Sequence, residues 1–210
     1  MQGRVVSPGE FIPIMEENAM IYSAGLWMVR KALKDCKEWL EIQPKFTISV
    51  NISALQLLED SFLEDFYRVI KEEKFPSENL VIELTESYAV KNMNIFWEKF
   101  SQLRERGIRI AVDDFGTGYS SLEVLKNAPI DIVKIDRAFV KDILKSRFDA
   151  TFISFVVAIC HEANIAVYQE GVETEEEYNF LYDMKLDCIQ GYYFGKPMSK
   201  QNIIKKLYEN

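Results

Sequence analysis

Six short β-rich runs alternate with longer amphipathic stretches, and this alternation leaves few folds open to the chain. The runs cover residues 46–51, 80–84, 109–113, 132–135, 165–169 and 187–190. Most are unbroken apolar segments rich in Val and Ile, as expected of parallel strands covered on both faces. Between them, residues 22–39, 61–73, 94–106, 120–126, 150–163 and 174–184 place apolar side chains three and four apart, which predicts helices. Repeated strand–helix units predict an α/β fold with a parallel sheet. A doubly wound sheet and a barrel both satisfy that pattern. A barrel of this kind has eight strands and typically about 250 residues. Six strands in 210 residues leave it two short. An additional amphipathic helix over 9–19 reads as the helical end of a unit whose strand is missing.

The polar residues narrow the choice. Each predicted strand ends in one or more of them: Asn51; Glu83, with Glu86 one turn later; Asp113 and Asp114; Lys134 and Asp136; Glu170 and Glu173; and Gln190. In a parallel barrel these ends meet at one rim, where active sites sit. Carboxylates without a His or Cys cluster offer hard oxygen ligands, which suit Mg²⁺ or Mn²⁺ better than Zn²⁺. The adjacent Asp113 and Asp114 can bridge two ions or serve one each. Such a pair of ions can activate a water and stabilise the leaving oxygen of a phosphodiester. Lys134 supplies a positive charge for a phosphate or for orienting the water. Glu170 is a candidate general base, because crowding by other carboxylates tunes a carboxyl for that role. The glycines of the 115–121 loop permit close backbone approach to such a site.

Bulk properties exclude other classes. The net charge of −8 argues against a nucleic-acid polymer as ligand, since such binders carry a basic stripe. The longest apolar run, 152–160, falls far short of the roughly 20 residues of a membrane span. No apolar leader follows Met1. Cys36, Cys160 and Cys188 fit no zinc or redox spacing and read as buried thiols of a cytoplasmic protein. His161 reads as structural or solvent-facing, and Trp27, Trp39 and Trp97 as packing residues.

Seven strings, in order, carry a resemblance. They are Ser7-Pro8-Gly9-Glu10-Phe11-Ile12-Pro13, Val50-Asn51-Ile52-Ser53, Glu83-Leu84-Thr85-Glu86-Ser87, Asp113-Asp114-Phe115-Gly116-Thr117-Gly118-Tyr119-Ser120-Ser121-Leu122, Lys134-Ile135-Asp136-Arg137, Glu170-Gly171-Val172-Glu173-Thr174 and Gln190-Gly191-Tyr192-Tyr193-Phe194. Together they resemble the EAL domains of bacterial cyclic di-GMP phosphodiesterases, across nearly the whole chain. The resemblance implies one EAL domain over residues 1–210, a TIM-like (β/α) barrel that is incomplete and lacks its first two strands. It implies hydrolysis of cyclic di-GMP to pGpG with two Mg²⁺ or Mn²⁺ ions. Asn51, Glu83, Asp113 and Asp114 would be metal ligands, and Lys134 and Glu170 the pair that handles the attacking water. Glu86 would anchor the 115–121 loop, with Asp136, Glu173 and Gln190 as supporting or substrate-binding groups. It further implies a homodimer formed through the region after that loop, and possible fusion to sensory or GGDEF domains. The signature Glu-Ala-Leu segment, with its metal-ligating Glu, is absent from the 210 residues. Two smaller departures are Ala19, where Gly is usual, and Gln169, where Ala is usual. The missing Glu gives two expectations: impaired catalysis in this chain, or, as the alternative, a non-catalytic module binding cyclic di-GMP or a protein.

Overall fold

The computed structural model of the protein describes residues 6–85, 93–118 and 122–209. Within them, six strands form one all-parallel sheet in sequence order: β1 (Ile48–Asn51), β2 (Leu80–Thr85), β3 (Arg109–Phe115), β4 (Ile132–Ile135), β5 (Ala166–Gln169) and β6 (Cys188–Ile189). A sequential parallel order with a helix between strands is the wall of a (β/α) barrel, and a doubly wound sheet would reverse its strand order midway. The expected incomplete barrel is therefore the observed architecture. Helices α1 (Pro8–Glu17) and α2 (Ile21–Ile42) precede the sheet. α3 (Ala54–Leu58) and α4 (Phe62–Glu73) lie between β1 and β2, α5 (Met93–Glu105), α6 (Leu122–Asn127), α7 (Arg147–Glu162) and α8 (Glu175–Tyr182) between the successive later strands, and α9 (Lys200–Glu209) follows β6.

The register sorts side chains onto two faces. Val81 pairs with Arg109, Ala111 with Ile132, Ile132 with Ala166 and Tyr168 with Cys188. Val81, Ala111 and Ile132, with Ala166 and Tyr168 packed against them, form a small apolar cluster on the concave face. The alternate residues Ile82, Ile110, Val112, Val133, Ile135 and Val167 belong to the main core between sheet and helices. Phe62, Phe66, Phe96, Phe100 and Leu33 fill that layer and are fully buried. The apolar stripes predicted for the helices supply most of this core; of the three tryptophans, Trp39 is buried and Trp97 packs on the core, but Trp27 is largely exposed.

Local chemistry sets the helix limits. Ser53 and Thr174 each make a reciprocal capping box, with Gln56 and Glu177. The short α3 escaped the sequence reading because five residues show no helical period; its signal was that capping box. Between α1 and α2, Ala19 adopts φ = 54°, a conformation glycine takes without cost. This accounts for the usual Gly there.

The amino ends of the strands are joined by side chains from the turns. The Asn79 amide donates to the carbonyls of Pro44 and Phe46 at 3.0 and 2.6 Å. Asp131 accepts from the Ile110 N–H at 2.9 Å, and Asp187 from the Val167 N–H at 2.7 Å. His161 meets the same Asp187 oxygen at 2.9 Å, so the single histidine is a fastening at the end of the sheet remote from the polar rim. Burial opposes ionisation of Asp187, but the Val167 N–H and His161 outweigh it and lower its pKa. A lowered folded pKa contributes stability that is complete above the unfolded value, about 3.9, and is lost as pH falls through the folded one. Asp187→Ala is expected to cost about 1 kcal/mol at neutral pH. In urea unfolding, the gap between parent and variant should narrow below about pH 4.

Candidate active site at the carboxyl ends of the strands

The concave-face alternation continues to the carboxyl ends of the strands and brings the polar residues there together. Asn51 stands opposite Glu83 in the β1–β2 register, one step beyond the apolar layer. Glu83, Asp113, Lys134 and Glu170 follow across the sheet. Lys134 is the centre of the group. Its Nζ lies 2.9 Å from Glu83, 3.2 Å from Asp113 and 2.5 Å from Glu170. Lys134 and Glu83 are buried, and Glu170 is half-buried. Gln190 donates its side-chain amide to the same Glu170 oxygen at 2.5 Å.

Strict alternation cannot place both Asp113 and Asp114 at the site, and the backbone departs from it there. Val112 pairs with Val133, and the next pairing, Phe115 with Ile135, spans one more residue on β3 than on β4. This bulge centres on Asp114, which takes φ = 55°. It returns Phe115 to the main core and keeps Asp114 at the rim, within the electrostatic reach of Asp113, Lys134 and Asp136. Gly116 follows at φ = 99°; a Cβ there would lie 2.6 Å from the Phe139 ring and 2.8 Å from that of Phe152. The sequence reading ended the strand at Asp113, because a bulge leaves no periodic trace.

Electrostatics follow from burial. Burial works against the Lys134 charge, but Glu83, Glu170 and Asp113 outweigh it and hold its pKa above that of an ordinary lysine. Burial raises the Glu170 pKa, with Asp113 and Glu83 adding to the rise and Lys134 opposing it. Asp114 is also raised, by burial and then by Asp113 and Asp136.

The donor set suits a hard divalent cation: carboxylates and an amide on adjacent strands, with the histidine at the opposite end of the sheet. Three carboxylates around one ammonium leave negative charge in excess. Among the described residues no three Asp, Glu, His or Cys side chains are grouped so as to hold a metal ion by themselves. The Lys134 ammonium sits between the carboxylates instead.

Not every expected residue joins this cluster. Asp136 caps the turn at Arg137–Phe139 by accepting the Ala138 N–H at 2.8 Å, and its carboxyl faces Asp114. Glu173 is exposed and lines a cleft of about 470 Å³ with Arg137, Glu170, Gln190 and Lys196. Glu86 lies outside the described residues. Arg137 and Lys196 were not singled out from the sequence, although they set two cations beside Glu170. Lone basic residues in loops have no period or spacing to mark them.

The EAL domain family matches residues 1–197. The bifunctional diguanylate cyclase/cyclic di-GMP phosphodiesterase MucR of Pseudomonas aeruginosa is 32% identical over 207 residues, 98% of this chain and 30% of its own length. The cyclic di-GMP phosphodiesterase PdeR of Escherichia coli is 34% identical over 194 residues, 92% of this chain and 29% of its own length. The chain thus spans under a third of these curated relatives. Among solved structures, the PaMucR phosphodiesterase in its c-di-GMP complex superposes with a TM-score of 0.90 at 32% identity, covering 96% of this chain and 82% of that one. An EAL domain protein from Listeria monocytogenes gives 0.85 at 30%, covering 98% and 81%.

Removing the central cation would leave three carboxylates facing one another with nothing between them. Breaking a buried ion pair from one side typically costs about 3–5 kcal/mol. Lys134→Met is expected to destabilise the chain by about 3 kcal/mol, and millimolar Mn²⁺ to recover part of that loss by binding the folded carboxylates. Thermal melts of parent and variant, each with EDTA and with Mn²⁺, measure both effects.

Proposed function

Since the chain belongs to the EAL domain family, we propose that residues 1–210 form a cyclic di-GMP phosphodiesterase domain that uses two divalent ions, Mg²⁺ or Mn²⁺, to yield pGpG. The observation that carries this reading is the 2.5 Å contact of Lys134 with Glu170 amid the strand-end carboxylates. A base and a cation in direct contact, beside a charge-rich rim, are what activation of a water against a phosphodiester requires.

Asn51, Glu83, Asp113 and Asp114 would hold the ions. When bound, such ions supply Lewis acidity toward phosphate oxygens and lower the pKa of a water. Glu170 takes the proton from the attacking water, and Lys134 orients that water and offsets charge gathering on the phosphoryl oxygens. The water oxygen bonds to phosphorus as the P–O3′ bond breaks; the O3′ takes up a proton from solvent as Glu170 gives its own back, and the ring opens. Gln190 fixes the Glu170 carboxylate through its amide. Arg137 and Lys196 attract the dinucleotide's phosphates. Asp136 and Glu173 support the loops beside the bound nucleotide, and Glu86 anchors the 115–121 loop.

Partners follow the same reading. Phe148 and Phe155 lie two turns apart on α7 and are exposed, as is Leu144 just ahead of that helix. We assign this apolar face to a homodimer formed through the region after the 115–121 loop. No described helix is long and apolar enough to cross a membrane. Cytoplasmic action and fusion to sensory or GGDEF domains complete the proposal.

The test is conversion of cyclic di-GMP to pGpG with Mn²⁺. The 210-residue polypeptide, which has no Glu-Ala-Leu tripeptide, is expected to turn over more slowly than one preceded by a Glu-Ala-Leu strand. In the latter, Glu170→Gln should lower kcat by at least about 10²-fold while binding persists. Binding without turnover in both polypeptides would favour the alternative, a non-catalytic module that binds cyclic di-GMP. For the dimer, Phe148→Glu should shift sedimentation toward the monomer, and an unchanged profile would refute this interface.

A further inference from the structure

We infer that Gln169 is a positioning residue: from the helix side of the sheet, its buried amide holds together the two chain ends that carry Lys134 and Glu170. The inference rests on the phosphodiesterase reading for its kinetic consequence and on geometry alone for its structural one.

The geometry is specific. Gln169 closes β5 and pairs with Ile135, the last residue of β4. Glu170, one residue on, lies beyond the strand and faces the concave side; Gln169 therefore faces the helices, where it is fully buried. Its side-chain N–H groups donate to the carbonyls of Glu170 at 3.1 Å, Ile135 at 3.2 Å and Asp136 at 3.4 Å. Ile135 and Asp136 directly follow Lys134 in the chain. The Ile135 carbonyl also accepts the Glu170 N–H at 3.1 Å, the final main-chain bond between these two ends. The amide thus adds cross-links where the main-chain ladder stops. The turn beyond is close-fitted too: a Cβ on Gly171, at φ = 78°, would lie 2.2 Å from the Arg137 Cβ. On the opposite face, the Lys134–Glu170 contact depends on these two backbone ends keeping their spacing.

The stability cost points the same way. The Gln169 Oε1 is buried and has no hydrogen-bond partner among the described residues. An orphaned buried acceptor is destabilising, and an apolar side chain of similar size would avoid it. Violations of polar satisfaction in native proteins concentrate at functional sites. Here the cost accompanies an amide whose donors hold the frame of the two residues proposed to handle the water.

Gln169→Met keeps the length and removes the donors. Two readouts test the inference, both on the full chain, with the kinetic arm preceded by a Glu-Ala-Leu strand. Cyclic di-GMP hydrolysis with Mn²⁺ should lose about 10- to 100-fold in kcat at nearly unchanged KM, with a melting temperature equal to or above that of the parent. Amide hydrogen exchange at Glu170 should accelerate about tenfold or more, while exchange in the distant Asp187–Val167 fastening stays unchanged. Gln169→Asn, which keeps an amide on a shorter stem, should recover part of the slow exchange; Gln169→Ala should not. Faster exchange at Glu170 in Gln169→Met, with a parent that does not hydrolyse the nucleotide, would support the positioning role and sink the phosphodiesterase reading. Unchanged kcat and unchanged exchange in a folded Gln169→Met would overturn the positioning role. A lowered melting temperature with unchanged kcat would overturn it as well, by making Gln169 a purely structural residue.

Discussion

The Lys134 ammonium, held between Glu83, Asp113 and Glu170, is the interaction on which the rim depends. Carboxylates from β2, from β3 and from the residue just past β5 converge on one ammonium, and like charges at low dielectric repel strongly. A buried cation among them converts that repulsion into attraction and fixes the rotamers of all three. The same ion pairs hold the ammonium charge against the burial that opposes it. Site and fold are thus joined: the residues proposed to do chemistry also hold the strand ends in position.

That arrangement is possible because the sheet is all-parallel and in sequence order. Every strand then delivers its carboxyl end to the same edge, and each right-handed helical return leaves the next strand beside the last. The period of two carries Val81 to Glu83, Ala111 to Asp113 and Ile132 to Lys134, so an apolar layer lies directly beneath the charged one. Low polarity below raises the strength of every interaction above. The opposite edge is tied by neutral and charged side chains from the turns, Asn79, Asp131 and Asp187, which bond the backbone. The two ends of the sheet therefore divide the work between fastening and chemistry.

Much of this was legible in the residues. Unbroken Val/Ile runs alternating with helical stripes fixed the class, and polar residues at the run ends marked the rim, because side-chain direction in a strand follows from sequence parity. Other features left no such trace. The five-residue α3 is too short for periodicity. Trp27 sits in an apolar stripe yet points to solvent, since a stripe wider than the contact leaves its margin exposed. Gln169 stood out only as an unusual residue, and its three carbonyl partners come from a neighbouring strand and from its own turn.

By itself, then, the sequence determined the strand–helix alternation, the parallel order and which side chains reach the carboxyl edge. These are local matters, decided by period, turn chemistry and the parity of a strand. Only the tertiary structure decided that Lys134 sits inside the carboxylate group and that a bulge at Asp114 brings two consecutive aspartates to the rim. It also decided that Gln169 ties β4 to β5 from behind. The physical reason is that each of these depends on the spacing between separate strands, which main-chain hydrogen bonding across the sheet fixes and which no single stretch of residues contains.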